Sequence, residues 1–284
     1  MSYSSEADDL VVGTGVTIGD GTRIRGGRIV LADGAQIGRD VDLHVTEELI
    51  LGKHSIIGEG TILAGRRIRL GREFYTNHHA EIGGGSCFEK TSSLQAGHWV
   101  HLGSYSMINT AMPVTIGDEV GMGRFTNLYT HGAYLSLAEG FPVQFAPITL
   151  GSRVWLPSAT VNPGVTIGDD VVVGVGSLVT TNLPPHCLAV GVPAKVVREG
   201  YPPRPSDEDV RRRIRELFRA WEVPAEFESE GVRFRVRGAA FDVRARTIEG
   251  PVSKESERAK NLLRRMGIRF TVEAVDGAWT PWKD

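Results

Sequence analysis

Of the eight histidines in the sequence, His131 stands apart by where it falls. On both sides of it the chain repeats a six-residue theme, as in VTIGDGTRI and VTIGDDVVVGVGSLV. The theme stops over residues 128–148, LYTHGAYLSLAEGFPVQFAPI, and His131 opens that break. A free histidine has a pKa of about 6.5, so a neutral imidazole accepts protons at neutral pH, and a positioned general base is worth about 10²–10⁴-fold in rate. Taken alone, a histidine is more often structural. A long loop inside a compact repeat costs little extra closure entropy and is usually functional, which adds weight to this one. Four further histidines come in pairs, His78–His79 and His98 with His101 in HWVH, and imidazole is also a metal ligand. Lys195 and Arg198, near the end of the repeat, suit phosphate groups, although a solvated chain end is the plainer reading.

These residues are positioned by the repeat. Aliphatic residues followed by small residues or turn formers recur mostly every six positions: Val12, Ile18, Ile24, Leu31, Ile37 and Leu43, then on through Leu63 and Leu70. The register blurs near Asn77–His78, where Ile82 and Phe88 keep the count, and resumes through Leu102, Met122, Leu128, Leu156 and Val179. A period of six fits neither a helix face nor strand alternation. It fits a solenoid of short strands and sharp corners, in which each coil buries its apolar row only against its neighbours. Three faces give roughly eighteen residues per coil, hence about nine or ten coils over 10–198. A sandwich would space its strands less regularly, at about 8–12 residues.

The stretch PITLGSRVWLPSATVNPGVTIGDDVVVGVGSLVTTNLPPHCLAVGVPAKVVRE, 147–199, closely resembles the end of the maltose and galactoside O-acetyltransferases and related sugar acetyltransferases. These are hexapeptide-repeat acyltransferases, and the resemblance implies a left-handed parallel β-helix. It is specific over about 115–199 and reaches the earlier part only as repeat. This repeat begins earlier than in the short members of the group, and ATVNPG is one residue shorter than their pattern. The resemblance implies an acetyl-CoA-dependent transfer to a hydroxyl of a sugar or sugar-like acceptor, in a pocket between subunits of a homotrimer. His131 in YTHGAY takes the place of the catalytic base. An oxyanion would be held by backbone N–H groups or by Asn109, and Asn109 and Glu139 are the candidate substrate contacts. The family's coenzyme contacts fall on Trp155, Ser158, Val175, Thr180, Thr181, Lys195 and Arg198. Thr181 departs from the pattern, since lysine is frequent there.

No metal is expected. The γ-class carbonic anhydrases share this fold and bind zinc through three histidines, but HWVH, with two residues between its histidines, does not reproduce their spacing. N-acetylation of an amino sugar carried on a nucleotide and a non-catalytic scaffold stay open as alternatives.

The composition bounds the rest. Residues 1–200 hold 30 of the 35 glycines, and the Lys+Arg to Asp+Glu balance passes from 14 against 19 to 18 against 15 after position 200. The shifts divide the chain into an N-terminal tail, 1–9, a β-helix, 10–200, and a small α+β domain, 201–284. In the last, SDEDVRRRIRELFRAW reads as an amphipathic helix capped by Ser206, and KESERAKNLLRRM as a second. VRFRVRG, AFDVRARTI and RFTVEAV read as strands. This domain shows no catalytic constellation; it would cap the last coil or recruit the acceptor. A net charge of −2 offers nothing to a nucleic acid. The acidic start and the lack of a run of about 20 apolar residues point to a cytoplasmic protein without a membrane segment. Two cysteines are too few for a disulfide framework.

Overall fold

The computed structural model describes residues 3–282, which divide at Pro202/Pro203 into two compact units. The first is a β-solenoid of stacked parallel coils, mostly β as the period implied. One face is a ladder of two-residue strands from Thr17–Ile18 through Tyr75–Thr76, His101–Leu102 and Gly121–Met122 to Trp155–Leu156 and Val172–Val173. It ends at Cys187–Gly191, on which Ala194–Glu199 folds back antiparallel. Most coils turn an aliphatic side chain inward on each face, with Thr76 taking that place in Tyr75–Thr76. Ile24, Leu43, Leu63, Leu102, Met122, Leu128, Leu156 and Val173 are all 0% exposed. Full burial of one such side chain contributes about 1.5–3 kcal/mol, and each is buried only because the coils above and below cover it.

Ion pairs cross between adjacent coils on the outside, among them Arg25–Asp42, Arg39–Glu59 and Arg153–Asp170. The Arg153 guanidinium grips Asp170 with two hydrogen bonds of 2.6 and 2.7 Å, which lowers that carboxyl below its ordinary range. Its stabilising contribution is present above the unfolded carboxyl range and is lost as pH falls through the lowered value. With Arg153 half exposed to water, it amounts to about 0–1 kcal/mol.

Three details differ from the reading of the sequence. The solenoid begins at Ser4, since Ser4–Val12 pairs in parallel with Arg23–Leu31 and is not a tail. Its polar residues hid it: the strand lies on the end of the stack with only Ala7 and Leu10 packed against the core, and Val12 is 46% exposed. Phe88 does not keep the inward count, being 43% exposed, whereas Leu94 and Ala96 are buried. Residues 84–93 leave the strand ladder, between strands Glu81–Gly83 and Leu94–Ala96. They do so where the strand Ile62–Leu70 of the preceding coil bends without a break, pairing first with Glu81–Ile82 and then with Leu94–Ala96.

The second unit has its own core, built from Ile214, Phe218, Phe234, Phe241, Leu263 and Trp279. Helix α1, Asp207–Ala220, is capped by the Ser206 hydroxyl, which accepts from the Asp209 N–H. Helix α2, Lys254–Arg265, starts with a capping box between Ser253 and Ser256. The strands form a six-stranded antiparallel sheet. The stretch read as one strand, AFDVRARTI, breaks into Ala239–Asp242 and Thr247–Pro251. Asp242 Oδ1 accepts from the N–H groups of Arg244 and Ala245, which folds the chain over between them. No helix among the described residues is long and apolar enough to cross a membrane. Because each unit buries a separate apolar cluster, a chain ending at Pro202 is expected to keep the β signature in circular dichroism; its loss would show that the first core does not fold alone.

Candidate active site

At one corner of the solenoid the chain leaves the strands Glu81–Gly83, Met107–Asn109, Asn127–Leu128, Ala159–Val161 and Ser177–Val179, which stack in that order. On three coils the return is short, after Glu81–Gly83 it is the 84–93 excursion, and after Asn127–Leu128 it becomes a hairpin. His131–Gly132 pairs antiparallel with Gln144–Phe145, and the chain rejoins the ladder at Ile148–Leu150. The Ala146 N–H donates to the Thr130 carbonyl at 2.9 Å and closes the hairpin base. His131 is thus fixed at the junction between the rigid coil and the hairpin. Phe145 stacks on its ring, 5.2 Å between centroids and 18° from parallel.

One coil below lies Asn109, 3% exposed. Its Nδ2 donates to the carbonyls of Gly83 and Gly85, both at 3.1 Å. Its Oδ1 accepts from the Thr130 hydroxyl at 2.5 Å and sits 2.8 Å from His131 Nδ1, with the Ala111 N–H at 3.4 Å. Two carbonyls on one side and a backbone N–H on the other leave the amide a single orientation. The atom facing the imidazole is therefore an oxygen, which only accepts. Nδ1 must carry the ring proton, and Nε2 keeps its lone pair. Nε2 and Cε1 point toward the backbone of Gly85 in the 84–93 excursion, 3.5 Å from where a Cβ would stand. A cleft of ≈ 540 Å³ opens on the hairpin side, lined by Tyr129, His131, Tyr134, Phe141, Pro142 and Asn162, among others.

The structure brings Asn109 to His131 but gives it a different place from the one expected. With both amide atoms engaged inside the protein, it orients the imidazole and has no free group to offer a substrate or an oxyanion. Glu139 lies exposed at the hairpin tip, in a turn of 3₁₀ helix, and does not line the cleft. Trp155 lies flat over Gly121, where an added Cβ would come within 2.5 Å of its ring. Ser158 and Val175 sit on consecutive coils, joined by the Gly176 N–H donating to the Ser158 carbonyl at 2.7 Å, with Val175 77% exposed. Thr180 and Thr181 are exposed at the turn after Ser177–Val179. Lys195 and Arg198 are exposed on the final antiparallel strand, without an ion pair among the described residues, and Arg198 lies over the Tyr201 ring.

The paired histidines serve contacts between coils. His98 Nδ1 accepts from the Arg72 N–H, His101 stacks on Tyr75 and bonds to Asn77, and His79 stacks on Tyr105. Among the described residues no group of three or more His, Cys, Asp or Glu is placed to hold a metal ion. Burial raises both cysteine thiols, Cys87 and Cys187, away from the reactive thiolate form.

The galactoside O-acetyltransferase of Escherichia coli K12 is 36% identical over 129 residues, 42% of this chain and 64% of that protein. A putative acetyltransferase of Staphylococcus aureus MRSA252 is 53% identical over 62 residues, 22% of this chain and 31% of that protein. The chain spans less than two thirds of the curated relatives it matches. Among solved structures, a galactoside acetyltransferase in complex with coenzyme A is 34% identical, covering 50% of this chain and 57% of that one, with a TM-score of 0.34. A hexapeptide-repeat acetyltransferase of Vibrio cholerae complexed with acetyl coenzyme A is 25% identical, covering 52% and 69%, with a TM-score of 0.36. No protein-family model matches the chain.

Proposed function

We propose that the protein transfers an acetyl group from acetyl-CoA to a hydroxyl of a sugar or sugar-like acceptor, with His131 as the general base. The observation that carries this is the Asn109 amide, which leaves Nε2 of His131 as the proton-accepting nitrogen. Nε2 takes the proton from the acceptor hydroxyl as its oxygen attacks the thioester carbonyl. The tetrahedral intermediate collapses with cleavage of the C–S bond, and the proton passes from the imidazolium to the departing sulfur. The products are an acetyl ester and the free thiol of CoA. Because the Asn109 side chain is engaged elsewhere, stabilising the oxyanion falls to backbone N–H groups.

Acetyl-CoA is assigned to the later coils, along Trp155, Ser158, Val175, Thr180 and Thr181, with its phosphates toward Lys195 and Arg198. Lys195→Ala and Arg198→Ala are each expected to raise the KM for acetyl-CoA about three- to tenfold, the loss of about 1 kcal/mol at an exposed charge contact. The acceptor KM should stay the same. Unchanged affinity for both CoA and dephospho-CoA would make the two residues a solvated chain end.

A homotrimer completes the pocket in this reading. The hairpin exposes Tyr134 by 98%, Leu137 by 69% and Leu135 by 50%, an apolar surface that a neighbouring copy would cover. We place the protein in the cytoplasm, where the free thiols of Cys87 and Cys187 stay reduced. The test is thiol release from acetyl-CoA in the presence of free sugars, nucleotide sugars and amino sugars. Faster release with hydroxyl acceptors is expected. Acetylation confined to amines would make it an N-acetyltransferase, and no turnover with any acceptor would favour a scaffold.

A further inference from the structure

Gly83, Gly84 and Gly85 follow one another where residues 84–93 leave the ladder. Backbone conformation accounts for two of them. Gly83 has φ +139° and would put a Cβ 2.8 Å from the Ala64 carbonyl oxygen, and Gly84 has φ +79°. Gly85 has neither reason to be glycine. Its φ lies outside the left-handed region, and a Cβ there would meet only Cε1 and Nε2 of His131, both at the ordinary contact distance of 3.5 Å. Alanine would therefore fit the fold. It would also lie against the end of the imidazole that carries the lone pair. The carbonyl of Gly85 is held by Asn109 Nδ2 at 3.1 Å, so this backbone is tied to the same amide that orients the ring.

We infer that Gly85 is a specificity-determining residue, whose missing side chain keeps the approach to Nε2 open for the hydroxyl-bearing carbon of the acceptor. The inference rests on His131 being the base. It also gives the 84–93 excursion a part in the site. The proposed coenzyme residues Ser158, Val175 and Thr180 belong to coils that follow His131 in the stack, whereas Gly85 belongs to a coil that precedes it. The preceding side is thereby left for the acceptor, and a bare stretch of backbone there admits a ring hydroxyl that a side chain would hold off.

The test compares wild type, Gly85→Ala, Gly85→Val and His131→Asn. One readout needs no acceptor: the rate at which diethyl pyrocarbonate modifies His131, followed by peptide mass spectrometry with the exposed His54 as internal standard. The rate at His131 should fall stepwise from glycine to alanine to valine while that at His54 stays constant. The other readout is acetyl transfer to methyl β-galactopyranoside. Its kcat/KM should fall by about 10²-fold in Gly85→Val, the scale of a displaced reacting group, with the KM for acetyl-CoA and the thermal midpoint unchanged. Wild-type modification and transfer in Gly85→Val, with His131→Asn inactive, would overturn the inference alone. Wild-type turnover in His131→Asn would overturn the base assignment and the inference with it.

Discussion

Replacing His131 with asparagine is expected to lower kcat by about 10²–10⁴-fold, the usual worth of a positioned general base. Asparagine keeps much of the side-chain volume and can still hydrogen-bond to Asn109, but it accepts no proton at neutral pH. Alanine at 131 should be impaired to the same degree, because the basic nitrogen is what both variants lose. Affinity for CoA should stay near wild type, since the proposed coenzyme residues sit on other coils. The fold should survive as well. His131 is only partly buried, and among the described residues its side chain makes one hydrogen bond and one ring stack. Near-full activity in the asparagine variant would reduce His131 to a positioning role. Loss of the folded state in both variants would make it structural.

The second large effect is expected at Asn109. Asn109→Ala removes the acceptor that holds the proton on Nδ1, so the neutral imidazole is free to place it on Nε2 and to rotate. A fall in kcat of about 10²-fold follows from that loss of geometry. The same change takes the Nδ2 donor from the Gly85 carbonyl, while the Gly83 carbonyl keeps the Thr110 N–H. The cost is about 1–3 kcal/mol of stability for one such group. Activity must therefore be measured well below the lowered melting temperature, with CoA binding as the sign that the site has formed. A variant that melts early but turns over within a factor of two of wild type would make Asn109 a structural peg only.

How legible these features were depends on what each face of a coil reveals. The inward rows could be read directly, because most coils give each face an aliphatic side chain, and Ile24 or Leu128 has nowhere else to go. The hairpin after His131 showed as an interruption of those rows. Residues 84–93 did not, because Phe88 falls six residues after Ile82 and imitates the next inward position while its side chain faces outward. Ser4–Val12 was hidden for a related reason: an end strand that packs only Ala7 and Leu10 against the core has too little apolar period to show. The link between Asn109 and His131 spans 22 residues, close to one coil, as the pairing of Ile108 with Leu128 makes plain. Register could have placed the two side by side. It could not have told which amide atom faces the ring, since that depends on two carbonyls another coil away.

Nitrogen-15 chemical shifts of the His131 ring in the native protein at neutral pH would decide the matter most directly. The arrangement around Asn109 predicts a protonated Nδ1, with the shift of a pyrrole-type nitrogen, and an unprotonated Nε2 of pyridine type. In Asn109→Ala the two signals should move toward the average of exchanging tautomers. A wild-type ring with its proton on Nε2 would leave His131 without a lone pair on its exposed side and contradict its assignment as the base.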